Sequence, residues 1–243
     1  MNPIEIMRQV SEKYSECHSY SDSGLAEFDD VHQQREQIAF RTEFIRPDYL
    51  RFEWQDYGPR RGKSERFSTV WASGNKTLVR RDTSKVIVEE QPSLALAIAG
   101  ATGCSAGAAH KVPSLLLDEL RTDCKHMLLL TDLELCDQIL EDEQQCYVLK
   151  GSLFKKGDHI LWISTSDFSL RRIRIVQSRT AEESERELKA ITGNAELMAR
   201  LTELGIAPPK EMKPKDRRSV TEYIYSDICF DGLISRAPQP VET

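Results

Sequence analysis

Among its 243 residues the chain has no apolar run long enough to cross a bilayer. Its most apolar stretch, Leu94 to Ala109, is broken by glycines and stops short of a spanning helix. A surplus of positive charge is also missing: 33 Lys and Arg stand against 39 Asp and Glu, a formal net charge of -6. That balance argues against a nucleic-acid surface as the main function. The six cysteines (Cys17, Cys104, Cys124, Cys136, Cys146, Cys229) form no C-x-x-C pair, so neither a structural zinc site nor any other metal is expected. Cys136 and Cys146 flank a turn-like LEDEQQ, either as a cross-hairpin disulfide or as two ordinary strand cysteines. The first residues lack the basic start and apolar core of a secretory leader. The protein is therefore expected in the cytoplasm, or in the periplasm or another exported location if a leader precedes this start.

What is present is a globular composition, 40% hydrophobic and 30% charged, able to bury a substantial core. Asn2, Pro3 and Glu5 mark a helix start, and Ile6, Val10 and Tyr14 recur on one face of that helix. The period then drops to two. LRFEWQDY alternates Leu50, Phe52 and Trp54 with Arg51, Glu53 and Gln55. Strands are predicted at 20–28, 35–46, 49–57, 66–72, 77–81, 85–89, 127–139, 146–154, 159–165 and 170–178, with SVTEYIYSDICF as the last. The short connections point to an antiparallel meander. About eleven strands must curl, so the expectation is a mainly β (α+β) fold. A curled antiparallel sheet forms an incomplete barrel, with helices over its concave mouth. Residues 1–243 read as a single domain carrying an apolar lid segment over 93–120 and a helical and basic insertion over 180–218.

The apolar segment SLALAIAGATGCSAGAAHKVPSLLL holds the candidate chemistry. Gly103-Cys104-Ser105-Ala106-Gly107 fits a nucleophile elbow by letter, with Asp137 and His159 following in order, but a meander offers no parallel sheet to carry it. Gly100-Ala101-Thr102-Gly103 imitates a dinucleotide loop without the βαβ unit such a loop needs. Cys104, His110, Cys124 and His126 match no common ligand spacing. No cofactor is expected. Leu94, Leu96, Ile98, Leu115, Leu116 and Leu117, separated by small residues, fit either a hinged cover over an apolar cavity or a static plug. Phe40, Phe44, Phe52, Trp54, Trp71 and Trp162 lie on strands and are candidate cavity walls. The Arg171-Arg172-Arg174 cluster and the run from Lys210 to Arg218 are solvated faces, or contacts for anionic headgroups or an acidic partner.

FRTEFIRPDYLRFEW (Phe40 to Trp54) resembles the Arg-Pro strand-turn-strand of the LolA/LolB-like lipoprotein carriers, and HILWISTSDFSLRRIRI (His159 to Ile175) resembles their later hairpin. The order of helix, meander, apolar helices and second meander matches over most of the chain. Ser164 stands where that family often has Asp, and the lid segment is unusually rich in Ala and Gly. The resemblance implies a half-barrel that holds acyl chains beneath a lid, with Arg46 contacting the lid and helping to hold it closed. The implied role is non-enzymatic binding or carrying of a lipid or a lipidated protein, with a membrane-associated donor or acceptor protein as a further partner and no nucleic acid. A RseB-like sensor using the same concavity is the alternative, and a hydrolase using Ser105 or Cys104 the third.

Overall fold

Alternating burial along the strands builds one long antiparallel sheet. The computed structural model describes residues 1–29, 35–58, 62–63, 66–82, 85–121, 126–141, 144–153, 157–193, 195, 199 and 216–240. Helix α1 (Pro3–Glu16) starts at Asn2, whose side chain accepts from the Glu5 N–H. There follow β1 (Ser19–Asp29), β2 (Arg35–Ile45), β3 (Tyr49–Gly58), β4 (Gly62–Lys63), β5 (Ser68–Ser73), β6 (Lys76–Asp82) and β7 (Val86–Glu90). The apolar segment forms α2 (Leu94–Cys104), α3 (Ala108–Lys111) and α4 (Pro113–Leu116). Strands resume with β8 (Thr131–Glu141), β9 (Gln144–Leu153), β10 (Gly157–Ser164) and β11 (Leu170–Arg179). Helix α5 (Ala181–Thr192) and β12 (Arg217–Phe230) complete the order.

The strands lie side by side as β7-β6-β5-β3-β2-β1-β12-β11-β10-β9-β8, with the two-residue β4 paired to β3. The path has two free ends, β7 and β8, so this mainly β sheet does not close on itself. The last strand in sequence sits at the centre, because β12 pairs with β1 and joins the two meanders. The start of β8 differs from the sequence pattern, because Met127–Leu129 is a 3-10 turn ahead of it. Helix α4 ends at Leu116, with a separate 3-10 turn at Asp118–Leu120. Cys136 and Cys146 form no disulfide with each other, since Cys146 stands opposite Ile139. The basic run from 210 falls largely outside the described residues, as does Cys124.

The chain divides into two units, Met1–Ile175 with Val220–Thr243, and Val176–Ser219. The smaller one carries α5, where Thr180 and Glu183 form a reciprocal capping box. In the larger one a single core gathers Phe40, Phe52, Val70, Leu149, Leu161 and Ile173 from both halves of the sheet, together with the buried faces of α1 to α4. The sheet therefore turns one face inward around its helices. Gly24 sits at the middle of β1, where a Cβ would run into the Phe40 ring, and so lets that ring lie flat against the strand.

Candidate functional site

In the cover formed by α2–α4, helix α2 has the composition of core on both of its sides. Toward the sheet, Ala97, Ile98, Ala101, Ala108, Ala109, Val112, Leu115 and Leu116 are buried. Away from it, Ala95, Leu96, Ala99, Gly100, Gly103 and Cys104 are exposed, with Leu96 at 54%. An ordinary surface helix carries charge on its outer side, and α2 carries none. Its first turn is capped by Ser93, whose hydroxyl accepts from the Leu96 N–H.

Two fastenings hold this cover to the sheet and α1. Arg46, at the end of β2 before the cis Arg46–Pro47 bond, donates through Nη2 to the Leu116 carbonyl at 2.9 Å. The same guanidinium donates to the carbonyls of Cys17 (2.8 Å) and Tyr14 (3.1 Å). It thus ties the C-terminal ends of α1 and α4 together through carbonyls that lack helical partners. At the far tip of the cover the Tyr223 hydroxyl of β12 donates to the Ala106 carbonyl at 2.7 Å. Gly107 beside it has φ +92°, and a Cβ there would lie 2.7 Å from the Tyr223 oxygen.

Sequence reasoning found Arg46 and missed the other groups around α4. Arg121 donates to the carbonyls of Ser114 (3.0 Å) and Leu115 (2.8 Å). His126 Nδ1 accepts from the Leu128 N–H, so Nε2 carries the proton and donates to the Ser114 carbonyl at 2.9 Å. A basic residue soon after a helix C-terminus is the signal that pointed to Arg121. Nothing local marks Tyr223, which acts from more than a hundred residues away.

Both ends of the cover meet at an opening of about 330 Å³. Pro47 and Asp48 of the β2–β3 turn and Gly74 and Asn75 of the β5–β6 turn form one side. Pro92, Ser93 and Leu94 at the cover's entry, with Leu117 and Glu119 at its exit, form the other, and Phe44, Leu50 and Ala72 line its depth. The Asp48 carboxylate braces the two turns, accepting from the Gly74 N–H at 3.0 Å and from Arg236 at 2.8 Å.

Of the predicted wall residues, Phe40, Phe44, Phe52 and Trp54 belong to the core beneath the cover, with Ile98, Leu115 and Leu116 and the partly buried Leu94 against them. Phe40, Phe52 and Trp54 form an aromatic row, with ring centroids 6.1 and 5.9 Å apart. Trp71 and Trp162 do not join it. They point to the opposite face of the sheet, because Val70, Ala72, Leu161 and Ile163 beside them point inward and strand side chains alternate. Trp71 packs with Tyr49 and Leu78, and its indole N–H donates to the Ala237 carbonyl of the C-terminal tail. Trp162 packs with Cys146 and Val148 beneath the Arg172 guanidinium.

The other motifs have structural partners. Ser105 is fully buried, and its hydroxyl accepts from the Ala109 N–H in the manner of a helix cap. His159 bonds the Gly157 carbonyl, and burial holds its pKa down at about 4. His110 bonds the Leu120 carbonyl, and no cluster of metal-ligating side chains occurs among the described residues. Arg172 and Arg174 both pair with the buried Glu222, while Arg171 pairs with Asp167. No helix among the described residues is long and apolar enough to cross a membrane.

The sequence matches no family model and no curated protein. In fold the chain is similar to several solved structures. One is an outer membrane lipoprotein-sorting protein domain from Vibrio parahaemolyticus, 8% identical over 96% of this chain and 94% of that one, TM-score 0.37. Another is a LolA superfamily protein from Nitrosomonas europaea, 12% identical over 96% of both chains, TM-score 0.31. A third is the MucA/MucB complex of Pseudomonas aeruginosa, 7% identical over 97% of this chain and 59% of that one, TM-score 0.45. These likenesses assign the chain neither a family nor a role.

Proposed function

We propose that this chain binds the acyl chain of a lipid or lipidated protein between the sheet and its helical cover, without covalent chemistry, in an exported or periplasmic setting. The observation that carries the reading is a cover whose long helix, α2, is apolar on both faces, fastened to the sheet by the Arg46 and Tyr223 bonds, with an opening where the cover's two ends meet. A plug that never moves gains nothing from an apolar outer face. A cover that lifts needs one surface for the sheet when closed and tolerates apolar contact when open. Burial of an acyl chain stabilises by about 0.8 kcal/mol per methylene. Roughly sixteen carbons therefore outweigh the loss of two hydrogen bonds, each about 1–3 kcal/mol. The walls would be Phe40, Phe44, Phe52 and Trp54 from the sheet, and Ile98, Leu115 and Leu116 from the cover.

Lipid extraction and mass spectrometry of the purified protein, with titration of a fluorescent fatty-acid analogue, test the reading. The expected result is a bound alkyl chain and saturable binding in a one-to-one ratio. A protein that carries no lipid, takes up no analogue and forms a stable complex with another protein would instead be an interaction module. The hydrolase alternative finds no support in Ser105, whose hydroxyl is buried and bonded to the Ala109 N–H.

A further inference from the structure

The inward face of the sheet is not wholly apolar. Asp22, on the core side of β1, is 1% exposed. Its Oδ2 accepts from the Tyr20 hydroxyl at 2.8 Å and its Oδ1 from the Thr42 N–H at 3.0 Å. Burial dominates its environment, and no cation of the described residues contributes to it. The β1–β12 register shifts at this residue, from Ser21↔Cys229 to Ser23↔Ser226, so the ladder is interrupted where the carboxylate stands.

A second observation lies one step along the sheet. Tyr225 of β12 pairs with Gly24, two residues from Asp22 on the same side of β1. Its ring is buried against Phe40, with centroids 5.5 Å apart, and its hydroxyl has no hydrogen-bond partner among the described residues. A buried phenol without a partner and a buried carboxylate without a counter-charge are each costly. Such pairs mark a place where something else completes the bonding. Each carboxylate oxygen accepts one bond and retains capacity for another, and the Tyr225 oxygen accepts as well. The Thr42 hydroxyl beside Asp22 and the Tyr225 phenol are local donors, so what the site lacks is a positive charge.

We propose that Asp22 and Tyr225 form a headgroup subsite on the floor of the concavity, one that receives the protonated amine of an amphiphile whose alkyl part lies along Phe40 and Phe52. The proposal rests on the preceding reading that the ligand lies between sheet and cover. An ammonium group supplies three donors, enough for the carboxylate and the phenol together, and its charge replaces the missing counter-ion. The titratable groups facing Asp22 are Tyr20 on its own strand, Tyr14 from α1 and Tyr225 from β12. Burial raises all three phenols, which stay neutral and leave the carboxylate as the charge in the site.

The test is displacement of a fluorescent fatty-acid analogue from the full chain by dodecylamine, dodecanol and dodecanoate at pH 7.5, in the wild type, Asp22→Asn and Tyr225→Phe. Circular dichroism checks the fold of each variant. Wild type should release the probe at a dodecylamine concentration at least tenfold below that of dodecanoate. Asp22→Asn should bring the two within about twofold while leaving dodecanol unchanged, and Tyr225→Phe should weaken dodecylamine alone by threefold or more. Should Asp22→Asn fail to fold, Tyr225→Phe and the wild-type preference decide. Equal displacement by amine and carboxylate in the wild type, or a preference that survives both substitutions, overturns the subsite and leaves the acyl-chain reading standing. Failure of all three alkyl compounds to displace or bind overturns both.

Discussion

Arg46→Leu separates the fastening of the cover from the stability of the sheet. The arginine makes three charge-assisted bonds, two to the end of α1 and one, at 2.9 Å, to the Leu116 carbonyl of α4. Lifting the cover breaks only the third. A hydrogen bond from a charged donor contributes about 1.5–3 kcal/mol, so the substitution should raise the opening equilibrium of α2–α4 roughly ten- to a hundredfold. Leucine retains the side-chain bulk over Phe44, where the guanidinium sits 5.0 Å from the ring centroid. Hydrogen exchange followed by peptide mass spectrometry reads this directly, with the α2–α4 peptides compared against Leu50–Trp54 of β3 as the internal reference. The cover should exchange faster by that factor, and the β3 peptide should move only with global stability. Handing of a bound fluorescent fatty acid to acceptor vesicles should also slow, because the variant no longer regains the Leu116 bond as the ligand leaves. If the α2–α4 peptides exchange at the wild-type rate, Arg46 does not hold the cover and the lid reading loses its fastening.

Asp22 titrates near pH 6, above its ordinary 3.8, because burial disfavours its charged form. Its stabilising contribution is therefore complete below about pH 4 and is lost as pH rises through 6. Asp22→Asn should exceed wild type in urea stability by roughly 3 kcal/mol at pH 7.5, with the gap closing near pH 4, and parallel pH profiles would refute the assignment. Tyr223→Phe removes the bond to Ala106 at the tip of the cover and should speed exchange of the peptide spanning residues 104–109 about three- to tenfold, with β3 unchanged. Trp71→Ala removes one anchor of the C-terminal tail, so limited proteolysis should cut within residues 233–240 sooner than in wild type. Ser105→Ala should lower stability by about 1 kcal/mol through loss of its bond to the Ala109 N–H, with fatty-acid binding intact; loss of a hydrolytic activity in this variant would revive the nucleophile reading.

The strands were legible because period-two alternation is set by half-buried sheets, and β3 carries it cleanly from Leu50 to Trp54. The same rule explains where reading the aromatics failed. Val70 and Trp71, like Leu161 and Trp162, are adjacent apolar residues on strands buried on both faces, so alternation could not say which of each pair faced the helices. For Trp71 the outer face is buried by the C-terminal tail, whose sequence LISRAPQP shows no period at all. Arg46 was legible through the resemblance of its Arg-Pro turn to that of the LolA/LolB-like carriers, which implied a contact with the lid. Tyr223 and Tyr225 were not, since they look like ordinary tyrosines of a final strand until β12 is known to lie beside β1.

That central placement of β12 connects the fold to the proposed function. Because the last strand closes the gap between the two meanders, its inward residues lie in the middle of the sheet and not at an edge. Tyr223 can reach the cover's tip from there, and Tyr225 can face the region of Asp22. The two tyrosines stand one step apart on the same side of one strand, the first bonded to the cover and the second without a partner beneath it. A ligand settling against Tyr225 would press on the structure that Tyr223 holds down. Occupancy of the floor and release of the tip would thereby be coupled through a single stretch of strand. The coupling requires differential contact with the closed and open states, and a double-mutant cycle on Tyr223→Phe and Tyr225→Phe, read by fatty-acid affinity, measures it. Independent effects that add within about 0.3 kcal/mol would show that the two tyrosines act separately.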